Sequence, residues 1–208
     1  MRAALNNTNN LITKKINVHF FHGYVIKKPF RNTEEPIRGG FLGGHVYFQL
    51  KNHVYGFEPI NNDKFHVVPR IHPKRFNSNL KKEHVNDWLR FYEQYKFTSI
   101  EVLVSQTRFI YLKNILKKYK ILPPYDYALL GVRCASFTHY LLTKCGVCRS
   151  AGIIDSIIRF PYPRKLRFNL LRKALKQGWR ISETTGTNTR IWEENQPLLK
   201  TLHKQIFT

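Results

Sequence analysis

A chain of 208 residues with 42% hydrophobic and 14% aromatic content is long enough to bury a core and too apolar to be a disordered segment. Its 35 Lys+Arg against 13 Asp+Glu leave a net charge of +22, a field that attracts nucleic acid, anionic lipid or an acidic wall polymer without choosing among them. No apolar run approaches the roughly 20 residues of a membrane span, and the opening MRAALNNTNNLITKK lacks the apolar stretch of a signal peptide; the expectation is a cytoplasmic protein or one exported without a recognisable signal.

In chain order, residues 15–26 (KINVHFFHGYVI) are rich in β-branched and aromatic types and predict a strand. A polar, Gly-rich stretch leads to GGFLGG at 39–44. HVYFQL and HVYGFEP then flank Lys51-Asn52, the pattern of a hairpin with a two-residue turn. Residues 59–80 contain Pro59, Pro69, Pro73 and two Asn clusters, and predict a loop. Lys81–Tyr95 predicts a helix, with Val85, Trp88, Leu89 and Tyr92 at helical spacing. Thr98–Val104 predicts a strand. Ser105 can cap the next helix, whose stripe is Phe109, Leu112, Ile115 and Leu116 and which Pro123-Pro124 stops. After YDYALLGVR, the segment from Cys134 to Lys144 predicts a helix closed by Gly146. Beyond GIIDSIIRF and PYP, Arg164–Gln177 predicts a basic amphipathic helix, and the residues from Ile181 read as turns and then weak helix. Strands grouped before helices indicate an α+β fold. The chain divides into a main domain at 1–150 and a basic helical extension at 151–208 that packs on it.

Three cysteines, an odd number, argue against a disulfide framework. Cys145 and Cys148 form a CxxC that no second ligand pair completes, so neither metal nor cofactor is expected. Cys134 stands where a helix begins, where unpaired N–H groups and the helix dipole favour a thiolate, and Arg133 beside it pushes the same way. With Lys51-Asn52 as the turn, residue 50 faces 53 and residue 45 faces 58. His45, Tyr47, Gln49 and Glu58 then share one face of the hairpin, and Val46, Phe48, Leu50, Tyr55 and Phe57 share the other. A carboxylate opposite a histidine can fix its tautomer and stabilise its charged form, the third role in a triad. Tyr47 and Gln49 are then substrate-side candidates, with His66 as a further one in the long loop. His53 is expected on the core side, His72 in the loop, and His139 on a different side of its helix from Cys134.

GGHVYFQL-KNHVYGFEP, the helix opened by Ser105-Gln106 and YDYALLGVRCASF together resemble the circularly permuted branch of the NlpC-type papain-like hydrolases, which includes the lecithin:retinol acyltransferase-like proteins. The resemblance covers roughly residues 38 to 145. It implies a papain-like antiparallel sheet packed against the cysteine helix, with a histidine on an early strand preceding the cysteine. Cys134 would be nucleophile, His45 base and Glu58 the orienting group, where the family often has a second histidine. Arg133 departs from the asparagine usual before the cysteine. The backbone N–H of Cys134 and the hydroxyl of Tyr125 or Tyr127 are candidate oxyanion donors.

The implied reaction is amide or peptide hydrolysis through a thioester, with cell-wall peptides as the substrate class; lipid acyl transfer or thioester hydrolysis is the alternative. A non-enzymatic module holding nucleic acid or an anionic surface through its charge, and an inactive relative of the enzymes, are the competing readings. The helix PRKLRFNLLRKALKQGWR could lie on a membrane surface or pack as an ordinary surface helix.

Overall fold

The computed structural model describes residues 13–28, 44–60, 66–70 and 76–195. His72, residues 39–43 of the Gly-rich stretch and the segment from 196 onward lie outside them. Six strands form one antiparallel sheet in the order β5-β4-β3-β1-β6-β7: β1 Thr13–Phe21, β3 Val46–Leu50, β4 His53–Glu58, β5 Asn79–His84, β6 Phe97–Ser105 and β7 Ile181–Thr184. A separate two-stranded ribbon joins β2 Tyr24–Ile26 to β8 Arg190–Trp192. The helices are α1 Val85–Tyr92, α2 Gln106–Ile121, α3 Cys134–Lys144, α4 Ile153–Arg159 and α5 Pro163–Gln177. The fold is therefore α+β, and no helix among the described residues is long and apolar enough to cross a membrane.

Strand alternation gives the sheet two different buried faces. Ile16, Val18 and Phe20 of β1, Val46, Phe48 and Leu50 of β3, and Ile100, Val102 and Val104 of β6 form an aliphatic face. Against it pack Leu112 and Leu116 of α2, Phe137 and Leu141 of α3, and Leu166, Leu170 and Ala174 of α5. The opposite face is aromatic: Phe21, Tyr47 and Phe97 lie under Trp88 and Tyr92 of α1, and Tyr24, Tyr95 and Trp192 extend the cluster. Trp88 has no exposed surface, and its ring sits 5.3–5.5 Å from those of Phe21, Tyr47, Tyr92 and Phe97.

Three sequence expectations are corrected. The last two residues of the predicted loop 59–80, Asn79-Leu80, and the expected helix start at Lys81–His84 form β5 instead, a polar edge strand whose Leu80 alone is buried; it forms because β4 offers an open edge, a signal its own residues do not carry. His84 then caps α1, accepting from the Asn86 N–H. The predicted strand 15–26 is interrupted at His22-Gly23. The tail from Ile181 is not turn and weak helix: ISET pairs with Phe97–Ile100, and RIW pairs with Tyr24–Ile26. The extension thus supplies strands as well as the predicted helix, and α5 packs against β1, β6 and α3 with Leu166 and Leu170 fully buried.

Candidate active site

The hairpin register pairs Leu50 with His53 and Tyr47 with Gly56, as expected, so Glu58 lies across from His45 just outside β3. Two glycines make room there. Gly44 has φ +36°, and a Cβ on it would stand 1.8 Å from the Phe21 carbonyl oxygen. The backbone can therefore close in, and the Phe21 N–H bonds the His45 carbonyl at 2.8 Å. A Cβ on Gly56 would meet the Tyr47 ring at 2.7 Å and Glu58 Oε1 at 3.0 Å.

Cys134 is the first residue of α3 and packs in the aliphatic face, whereas Tyr47 belongs to the aromatic one. His45, at the end of the strand, touches both. Its ring lies 4.6 Å from that of Tyr47, its side chain hydrogen-bonds the Cys134 thiol, and its Nε2 faces Glu58 Oε1 at 3.8 Å. That distance is an ion-pair approach rather than a hydrogen bond. Burial raises the pKa of the Cys134 thiol, but the charge and hydrogen bond of His45, the Val46 N–H and Arg133 together outweigh it, and the thiol lies below its ordinary value. Around it Phe57 stacks on Phe137 with centroids 4.3 Å apart.

Tyr127 also reaches the thiol, with its hydroxyl in hydrogen-bonding contact with Cys134 and its ring 5.6 Å from that of Phe57. Burial, then the negative charge of Cys134, pushes the phenol pKa well up, which keeps the O–H as a donor. The segment carrying it is pinned by Asp126, a 2% exposed carboxylate that accepts from Arg70 Nε and Nη2, both at 3.1 Å, and from the Asn77 N–H. Ser78 adds a hydroxyl bond to the Tyr125 carbonyl at 2.6 Å. Sequence reasoning missed Asp126, although a lone charge between two tyrosines in an apolar stretch was a usable signal.

The remaining candidates fall elsewhere. Tyr125 hydrogen-bonds Tyr140, six residues along α3 from Cys134, and not the thiol that Tyr127 reaches. Tyr47 is 1% exposed and cannot face substrate; its hydroxyl donates to Glu58 Oε1 at 3.1 Å and lies 2.9 Å from the Tyr92 hydroxyl, which makes it a positioning residue for the carboxylate. Gln49 is committed within the sheet, its Oε1 accepting from Asn17 at 3.1 Å and lying 2.8 Å from His19 Nε2. The contacts of His66 run through its backbone, to Ala128 and the Leu129 N–H. Half-buried His53 sits against the His84 ring rather than in the core. His139 points away from Cys134, as expected, with Nδ1 2.9 Å from Ser156 Oγ. Cys145 is buried and Cys148 half-buried; burial raises their thiols to about 12 and about 11.

A second polar cluster lies at the end of β1. His22, Glu193 and Glu194 bring donor atoms within 4.8 Å of one another, a possible ligand set for a metal ion. The two carboxylates are already neutralised, Glu193 by Arg167 at 2.5 Å and Glu194 by Lys96, so the arrangement is that of a buried ion network tying the tail to the sheet. Compared with family models, curated proteins and solved structures, the chain matches none.

Proposed function

We propose that the protein is a cysteine hydrolase of amide or peptide bonds with a permuted papain-like core. The reading is carried by one observation: the thiol at the start of α3 is hydrogen-bonded to the side chain of His45, whose ring faces the Glu58 carboxylate on its other side. The resemblance of the motifs around His45 and Cys134 supports it, and so does the order of histidine before cysteine. His45 takes the thiol proton and the thiolate attacks the acyl carbon. The oxyanion of the tetrahedral intermediate is met by the Cys134 N–H and the Tyr127 hydroxyl. Collapse breaks the C–N bond, His45 returns the proton to the leaving amine, and a thioester remains. Water deprotonated by His45 then hydrolyses it. Glu58, held by Tyr47, orients the ring and stabilises its charged form.

The lipid acyl alternative has one observation in its favour. Val67, Val68 and Leu130, each more than half exposed, form an apolar tip beside the Tyr127 segment, joined by the Leu130 N–H to the Val67 carbonyl at 2.8 Å. An acylated substrate could rest there.

The test is the pH dependence of Cys134 alkylation by iodoacetamide. Wild type should show an apparent thiol pKa well below the ordinary value of about 8.5. In His45→Ala the pKa should rise and the rate at pH 6 should fall by about 100-fold. A thiol that is ordinary, or indifferent to His45, overturns the mechanism. Release of amine from peptide amides, against release of acid from acyl esters, separates the two substrate classes.

A further inference from the structure

Arg133 precedes Cys134, and its side chain makes no cap hydrogen bond to the helix that follows. The cap of α3 is made without it: the Arg133 backbone N–H donates to Ser136 Oγ at 2.9 Å, and that hydroxyl donates to the Arg133 carbonyl at 3.2 Å. The guanidinium lies close enough to act electrostatically on both Cys134 and Tyr127. Its Nε is buried without a hydrogen-bond partner, and among the described residues no Asp or Glu forms an ion pair with it.

Two other arginines among the described residues are buried, each 5% exposed, and have partners for their terminal nitrogens. Arg167 is paired with Glu193 at 2.5 Å. Arg190 has a buried Nε without a hydrogen-bond partner as well, but it donates through Nη1 to the Gln94 carbonyl at 3.1 Å and lies between the rings of Tyr24 and Tyr95, 4.6 and 4.3 Å from their centroids. A buried donor left unsatisfied costs about 1–3 kcal/mol, more when the group is charged, so its persistence beside a reactive centre calls for a partner that arrives from outside. The planar fork of a guanidinium matches a carboxylate in two parallel hydrogen bonds.

We propose that Arg133 is a specificity determinant that binds a carboxylate carried by the substrate next to the scissile carbonyl, so that the enzyme takes acidic peptides whose free carboxylate adjoins the bond cleaved. The inference rests on the cysteine-hydrolase reading and narrows its substrate class. A neutral amide would leave the Arg133 Nε without a partner in the Michaelis complex; an acidic one supplies it and is oriented by it.

The test uses two alkylating reagents that differ in one group. Iodoacetate carries a carboxylate on the carbon that Cys134 attacks, and iodoacetamide is its neutral counterpart. The ratio of their rate constants at one pH cancels the thiolate fraction, so it reports recognition and not thiol activation. In wild type the ratio should favour iodoacetate by about tenfold over its value for free cysteine, the worth of one charge-assisted contact. In Arg133→Gln it should fall to the free-cysteine value, and Arg133→Lys should retain part of the preference. Lys117→Gln, on the exposed side of α2, removes the same unit of charge and should leave the ratio unchanged. An equal ratio in wild type and Arg133→Gln overturns the assignment while leaving the mechanism standing. A loss of ratio in Lys117→Gln as large as in Arg133→Gln assigns the preference to the overall +22 field and also overturns it. A Cys134 that reacts with neither reagent below pH 8 overturns the hydrolase reading itself.

Discussion

The two ends of α3 carry buried cysteines with opposite chemistry. Cys134, at the N-terminal end, is 4% exposed and its thiol is drawn below the ordinary range; Cys145, just past the C-terminal end, is fully buried and its thiol is raised to about 12. Burial acts on both in the same direction. What differs is what faces the sulfur. At the N-terminus there are the Val46 N–H, the His45 side chain and Arg133. At the other end the carbonyl pole of the helix meets an apolar wall that Arg108 only partly offsets. Inclusion in the same aliphatic core therefore says little about a thiol; the charges and donors aimed at it decide.

The largest effect that could break this contrast is exchange of the thiols for hydroxyls. Cys134→Ser should abolish both iodoacetamide labelling at pH 6–7 and any hydrolysis, while Cys145→Ser should leave both rates unchanged; equal losses in the two variants would mean that the difference between the ends is illusory. Glu58→Gln should come next. It removes the charge facing His45 Nε2 without changing size, and turnover should fall by about 10–100-fold with the labelling pKa of Cys134 moved upward, measured in the same pH series.

A comparison of the ends at low pH is bounded by the fold. Burial lowers both His19, held between Ser99 and Gln49, and His139, midway along α3, to about 4. A histidine whose folded pKa lies below its unfolded value of about 6.5 contributes full stability above pH 6.5 and loses it as pH falls toward 4. Each shift corresponds to about 3 kcal/mol, so urea midpoints should fall steeply between pH 6.5 and 4. A flat midpoint across that interval would contradict the burial of these rings. The smallest effect is expected from Tyr47→Phe. It deletes one hydrogen bond to Glu58, about 1 kcal/mol, and should slow turnover about fivefold with little change in KM.

The hairpin is where the sequence was most legible. A two-residue turn between two β-rich runs leaves a single register, and from it the pairing of His45 with Glu58 follows by counting. The helical start at Cys134 was equally open, because Gly146 and the apolar spacing mark the element's ends. The role of Tyr47 was misread for a definite reason. Alternation assigns a residue to a face, and from the hairpin alone the face carrying His45 reads as the substrate side; α1 covers much of it, so Tyr47 and Gln49 are interior groups bonded to Glu58 and within the sheet. Which of Tyr125 and Tyr127 reaches the thiol could not be read by counting either, since both lie in an irregular segment held by the hydrogen bonds of Asp126 to Arg70 and of Ser78 to the Tyr125 carbonyl.

Composition, periodicity and turn chemistry, all local, thus determined the α+β class, the hairpin register, the cysteine-headed helix and the positive charge. Tertiary structure alone decided that β5, β7 and β8 exist, because a short stretch becomes a strand only when another strand's edge supplies its hydrogen bonds. It alone decided which thiol is activated, because the groups that set a pKa reach Cys134 from β3, from the YDY segment and from the helix itself, positions that only folding brings to within hydrogen-bonding distance.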